Sequence, residues 1–256
     1  MKKLKNFLVA FDVFLVLVLA GLWAEKSFQN VISSYMELEN VPAMQTEGIP
    51  DTEQTKELPT QIQEDTNYME LEEKKIAITF DDGPNPTYTP GLLQGLRDRN
   101  VKATFFIIGK NAEANPELIQ EIQKDGHLIG NHTYNHTQLN NSNREAFKEE
   151  LKQCSEAIKN ITGEETLFVR PPYGSWDKEI EKELNMFPVL WDIDPRDWCS
   201  NDAGKIVETV LNQAEENSII LLHDQYDSSI AAAFAIIDRL KEEGYQFVTV
   251  DEILFD

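Results

Sequence analysis

Lys75-Ile76-Ala77-Ile78-Thr79-Phe80-Asp81-Asp82-Gly83-Pro84 runs from an apolar stretch straight into two adjacent acids and a turn signal. The apolar residues read as a buried strand. Gly83 accepts turn dihedrals and Pro84 has no N–H to donate, so the strand stops there. Two carboxylates are then held side by side at the C-terminal end of a strand. Like charges that close repel unless a cation lies between them or one takes a proton. A divalent metal would relieve the repulsion and leave the two acids with different work. Taken alone, Asp-Asp-Gly-Pro is also ordinary turn chemistry, so its meaning depends on the residues further along the chain.

Downstream of Lys74, strand-like and helix-like segments alternate. Strands are expected over Lys75–Phe80, Ala103–Ile108, Leu128–Asn131, Leu167–Arg170, Val189–Ile193, Ser218–His223 and Phe247–Val250. Helices are expected near Tyr88–Arg99, Pro116–Lys124, Arg144–Lys159, Asp177–Leu184, Ala203–Ala214 and Ile230–Glu243. Asn115-Pro116 and Asn143 suit helix starts; Gly126, Gly163 and Gly244 suit stops. Alternation of this kind means a parallel sheet with helices outside, an α/β fold. It does not decide between a closed barrel and an open doubly wound sheet.

Upstream the chain has another character. Lys2, Lys3 and Lys5 precede an apolar run from Phe7 to Trp23, the pattern of an export signal with its positive flank inside. The run is at the short limit of the roughly 17–25 residues that span a bilayer. An uncleaved signal anchor over residues 1–24 is preferred to a cleaved signal peptide, which would leave the protein secreted. Residues 25–73 are rich in Glu, Gln, Thr and Asn, with weak hydrophobic periodicity. Such a stretch buries too little apolar surface to offset its ordering entropy, and is expected to be a mostly disordered stalk. The third segment, residues 74–256, is the domain with a core.

The sequence holds 23 basic and 45 acidic residues, a net charge of −22. That argues against nucleic acid as a partner, and no protein partner is evident. Membrane contact is expected only through the N-terminal segment. Cys154 and Cys199 are unpatterned, with neither metal-site nor redox spacing.

Active sites of parallel α/β folds lie beyond the C-terminal strand ends, and every chemically suggestive cluster falls at such an end. The third strand runs into His132-Thr133-Tyr134-Asn135-His136. Spacing of four predicts two imidazoles on one face of a helical turn, a good bite for a metal. The protein has four histidines in all, and two fall here. With Asp82 they make two imidazoles and a carboxylate, a set that leaves positions open for water. The fourth strand ends in Arg170-Pro171-Pro172-Tyr173-Gly174, which places a guanidinium at the mouth where it could hold a carboxylate as a forked pair. The fifth leads to Trp191-Asp192-Ile193-Asp194-Pro195-Arg196-Asp197-Trp198, acids interleaved with indoles that suit a sugar groove. The sixth ends in Leu221-Leu222-His223-Asp224, a buried strand that delivers one histidine as a general acid. His127 lies at the opposite strand end and is assigned to structure.

Together these motifs resemble the polysaccharide deacetylases, the NodB-homology domain of carbohydrate esterase family 4. The resemblance covers roughly residues 74 to 254. It implies a distorted (β/α)-barrel of about seven parallel strands. It implies that Asp82, His132 and His136 ligate a divalent metal, zinc first, with cobalt or nickel comparable. By the same resemblance Asp81 is the general base, oriented by Arg170, and the Tyr173 N–H an oxyanion donor. His223 is then the general acid tuned by Asp197, while Leu221 and Trp198 line the acetyl pocket and groove. The implied activity is metal-dependent N-deacetylation of N-acetylglucosamine units in a polysaccharide. The signal anchor and stalk would place the domain outside the cytoplasm in the wall space, which makes peptidoglycan the leading substrate. O-deacetylation of xylan-like sugars and a non-catalytic sugar-binding role in the wall are the alternatives.

Overall fold

The computed structural model describes residues 74–255. The expected anchor and stalk lie outside the described residues. Among the described residues no helix is long and apolar enough to cross a membrane.

Among the described residues seven parallel strands form one curled sheet: β1 (Lys74–Asp81), β2 (Thr104–Ile107), β3 (Leu128–Asn131), β4 (Phe168–Val169), β5 (Phe187–Pro188), β6 (Ile219–His223) and β7 (Tyr245–Val248). Their order is β5-β4-β3-β2-β1-β6, and β7 pairs with the start of β1. The helices are α1 (Thr89–Asp98), α2 (Gly109–Ala114), α3 (Pro116–Lys124), α4 (Arg144–Thr162), α5 (Lys178–Leu184), α6 (Ala203–Leu211), α7 (Asp227–Glu242) and α8 (Val250–Phe255). Between the sheet edges, the loop after β5 bridges to β6 at Ile193 and Ile220, with backbone hydrogen bonds from Asp192 and Ile193 to the Ile219 carbonyl and from Leu221 to the Ile193 carbonyl. The result is a distorted (β/α)-barrel, closed at one seam by a loop rather than by a strand pair.

β1 shows how two faces of one strand are used. Ile76, Ile78 and Phe80 belong to the main core, which they share with Leu92, Leu93 and Leu96 of α1 and with Ile236, Ile237 and Leu240 of α7. Each such buried side chain contributes roughly 1.5–3 kcal/mol. Ala77, Thr79 and Asp81 alternate onto the other face, towards the barrel interior. There Ala77 joins Phe106, Phe168, Val189, Ile219 and Val250 in a smaller apolar cluster. A third cluster, with Phe147, Leu151, Val169, Ile180 and Met186, holds α4 and α5 against β4.

The expected strand at Val189–Ile193 is displaced to Phe187–Pro188. The carbonyls of Val189 and Leu190 are taken by the Arg170 guanidinium, at 3.1 and 3.0 Å, so they leave the ladder for a side chain. The last strand ends at Val248 rather than Val250, because Thr249-Val250-Asp251-Glu252 starts an unexpected helix. Thr249 donates its N–H and hydroxyl to Glu252 Oε1, at 3.3 and 3.1 Å, a reciprocal arm of a capping box. α2 likewise has no counterpart among the expected helices. Asn115 and Asn143 stand at helix starts, but neither caps with its side chain. The three expected stops hold, since Gly126, Gly163 and Gly244 all take left-handed dihedrals.

Candidate active site

The site is built upward from the barrel interior. Arg170, just past β4, is fully buried. Its Nη1 donates to Thr79 Oγ1 at 2.6 Å and to Asp81 Oδ1 at 2.8 Å. Nε and Nη2 hold the Val189 and Leu190 carbonyls. The guanidinium also stacks on Phe106, 4.1 Å from the ring centre, with Trp191 at 5.8 Å. Thr79 donates its own hydroxyl proton to the Ile220 carbonyl at 2.6 Å. Burial pulls the Arg170 pKa down and Asp81 pushes it back up, yet an arginine remains charged at any physiological pH. A forked Arg170–carboxylate pair is not what forms. One nitrogen meets one Asp81 oxygen, because the other donors are committed to backbone carbonyls.

Asp81 ends β1 with its side chain inward, and it is 3 % exposed. Asp82 comes next with φ +73, and this left-handed step turns its carboxylate into the same mouth. The backbone there is held by Asn111, whose Nδ2–H donates to the Asp82 carbonyl at 2.9 Å.

His132 and His136 do not lie on a helical turn. Thr133 and His136 both take positive φ. The Thr133 N–H is captured by Asn131 Oδ1 at 2.8 Å, and the Thr133 carbonyl accepts from the Gly109 N–H. The segment is therefore an irregular loop, and the rings still converge, with centres 5.0 Å apart. His132 Nδ1 donates to the Arg170 carbonyl at 2.6 Å, which fixes the tautomer and leaves Nε2 as a lone pair. That Nε2 lies 3.4 Å from Asp82 Oδ1, and His136 Nε2 lies 3.3 Å from the same oxygen.

The donor atoms of Asp82, His132 and His136 all lie within 4.8 Å of one another. Asp82 Oδ1 is buried yet has no hydrogen-bond partner among the described residues, although buried acceptors are ordinarily satisfied. Burial raises the Asp82 carboxyl, but the His132 imidazole alongside and the charges of His136 and His223 outweigh it and hold the group below the usual carboxylate range. Burial likewise pulls His136 down, towards the neutral form that ligates. An unsatisfied carboxylate facing two imidazole lone pairs fits a divalent cation of the zinc type.

His223 ends β6 directly opposite Asp81 in the parallel register. Asp197 grips it twice: Oδ1 meets ring Nδ1 and Oδ2 meets the backbone N–H, both at 2.8 Å. Ser229 donates to Asp197 Oδ2 at 2.5 Å. Burial works against protonation of His223, but the Asp197 contact and the charges of Asp197, Asp81 and Asp82 prevail and push it up to about 9. Leu221 lies on the same strand face two residues earlier, opposite Thr79, and is almost fully buried. Trp198 and Tyr173 are exposed. Tyr173 has φ +60 and sets its ring edge-on against His136, 5.1 Å away. His127 is buried at the far strand end, with Nδ1 accepting from the Ala103 N–H; burial pulls it down to about 4.

All ten expected site residues thus lie at one end of the barrel. Four residues that support them carry no expected role: Thr79, Asn111, Ser229 and Asp224. Thr79 is within reach of strand alternation, being two residues before Asp81. Asn111 and Ser229 carry no local signal. Asp224 sits beside His223, and its buried carboxyl is pushed up to about 7 by burial.

A sequence profile described as polysaccharide deacetylase matches residues 68–189. A peptidoglycan-N-acetylglucosamine deacetylase of Bacillus cereus is 41 % identical over 203 residues, which cover 75 % of this chain and 95 % of that protein. The peptidoglycan-N-acetylmuramic acid deacetylase PdaC of Bacillus subtilis is 41 % identical over 184 residues, or 71 % of this chain and 39 % of that protein. The chain therefore spans about two fifths of the length of this longer relative. A solved structure of PdaC superposes with a TM-score of 0.69 at 38 % identity, covering 71 % of this chain and 90 % of that one.

Proposed function

The chain belongs to the polysaccharide deacetylase family, and from that membership we propose a metal-dependent enzyme that acts outside the cytoplasm. Its reaction is hydrolysis of the acetamide on N-acetylglucosamine units of a polysaccharide, peptidoglycan first, to acetate and a free amine. The observation that carries this reading is the convergence of Asp82, His132 and His136, with Asp81 and His223 paired on neighbouring strands at the same mouth. The names of the two Bacillus relatives support peptidoglycan as the polymer.

Asp82, His132 and His136 would hold the cation, whose chemistry is to polarise the acetamide carbonyl and to make water acidic. Asp81 has one oxygen held by Arg170 and the other free, 3.8 Å from His132 Nε2. That free Oδ2 takes the proton of the attacking water. The Tyr173 N–H stabilises the negative charge that develops on the carbonyl oxygen. His223, kept protonated by Asp197, gives its Nε2 proton to the departing nitrogen as the C–N bond breaks. Leu221 and Trp198 provide apolar surface for the acetyl methyl and the sugar. No serine or cysteine nucleophile is required. Lys2, Lys3, Lys5 and the Phe7–Trp23 run support tethering to the membrane, with residues 25–73 as a spacer.

The test is acetate release by the full chain from a panel of N- and O-acetylated glycans, before and after chelation, with metals added back. Release from N-acetylated polymer, lost on chelation and restored by a divalent metal, is the expected result. Turnover of acetyl-xylan alone would replace the substrate, and no release from any glycan would sink the enzymatic reading.

A further inference from the structure

Asp224 ends the run that delivers His223, yet takes no part in the proposed hydrolysis. Its carboxyl is fully buried. Oδ2 accepts a short hydrogen bond from the Thr89 hydroxyl, at the start of α1. That hydroxyl in turn accepts the Asn85 N–H at 2.7 Å. Oδ1 is buried without a hydrogen-bond partner among the described residues. A Cβ placed on Gly83 would lie 2.5 Å from Oδ2, so the carboxyl packs directly on the backbone between Asp82 and Pro84.

A buried carboxyl with one bare oxygen is costly. What it touches is the turn that redirects Asp82. Asp82 holds φ +73, a conformation that costs of order 1–3 kcal/mol for a non-glycine residue and persists only where the surroundings over-determine it. The turn is tied on one side by Asn111 on the Asp82 carbonyl. On the other it is tied by the chain Asn85–Thr89–Asp224. The need for glycine at position 83 and the presence of Asp224 therefore have the same cause.

We propose that Asp224 is a positioning residue for the Asp81–Asp82 turn. Through the Thr89 hydroxyl and its contact with Gly83, it sets the direction from which the Asp82 carboxylate meets His132 and His136. This rests on those three residues being a cation site.

The test uses cobalt(II) as both metal and reporter, titrated into the metal-free full chain and read by its visible absorption. Thr89→Val keeps the shape but loses both hydrogen bonds. It should weaken cobalt binding 10- to 100-fold, the usual range for partners that orient a ligand, and alter the absorption spectrum. Thr89→Ser restores the hydroxyl and should return both to the parent values. Asp224→Ala should resemble Thr89→Val. Parental affinity and spectrum in Thr89→Val would overturn the proposal, as would a Thr89→Ser chain as impaired as Thr89→Val. A parent chain that takes up no cobalt would sink the cation site itself, and the proposal with it.

Discussion

Arg170 holds His132 and Asp81 at once, with opposite ends of the same residue. Its carbonyl accepts the His132 Nδ1–H at 2.6 Å, and its guanidinium donates to Asp81 at 2.8 Å. The candidate metal ligand and the candidate base therefore share one rigid support, itself fully buried and tied to β1 and the loop after β5. A shift of Arg170 would move both groups together.

Arg170→Ala is expected to leave Asp81 buried and unpaired, at a cost of about 3–5 kcal/mol of stability. Arg170→Lys keeps the charge but cannot reach Thr79, Asp81 and two carbonyls at once. It should fold with reduced stability and lose most acetate release. Urea unfolding paired with an acetate assay checks both variants.

Asp81→Asn should keep the fold and bind metal, while acetate release falls by roughly 10²–10⁴, the usual contribution of a positioned general base. His136→Ala should instead lower metal retention, because His136 supplies one of the three converging donor atoms. Elemental analysis after dialysis separates the two; equal metal loss in both would contradict the division of labour between Asp81 and Asp82.

His223 is raised to about 9, so it is protonated across neutral pH and loses its proton as pH climbs through that value. Turnover should fall on the alkaline side accordingly. Asp197→Asn removes the main partner, lets the pKa drop, and should move the alkaline limb to lower pH. Stability shares this direction: a raised histidine pKa adds stability fully present below about 6.5, which is lost as pH rises towards 9. Denaturation of parent and Asp197→Asn should therefore differ more at pH 6 than at pH 10.

Gly130→Ala tests the interior beneath the site. A Cβ there would lie 2.4 Å from the Phe106 ring. That ring is fully buried and carries the Arg170 guanidinium 4.1 Å from its centre, so it has little room to yield. The expected cost is about 1–3 kcal/mol for overpacking, with a loss of activity as Arg170 shifts. Thermal unfolding and acetate release measure the two effects.

Local chemistry in the sequence was enough for the alternating strands and helices, the acid pair at the end of β1, the histidine pair after β3 and the histidine at the end of β6. Those features depend on hydrophobic period and on Gly and Pro punctuation, which act over a few residues. The Thr249–Glu252 contact that starts α8 spans three residues and was open to a local reading. Only the tertiary structure decided that the histidine pair converges through an irregular loop and that Val189 and Leu190 leave the ladder. It alone brought Thr79 to Arg170, Ser229 to Asp197 and Asp224 to Thr89, pairs separated by 91, 32 and 135 positions. The reason is physical: such hydrogen bonds exist only once the sheet has curled and its registers are set, and no local spacing encodes which distant strand ends will meet.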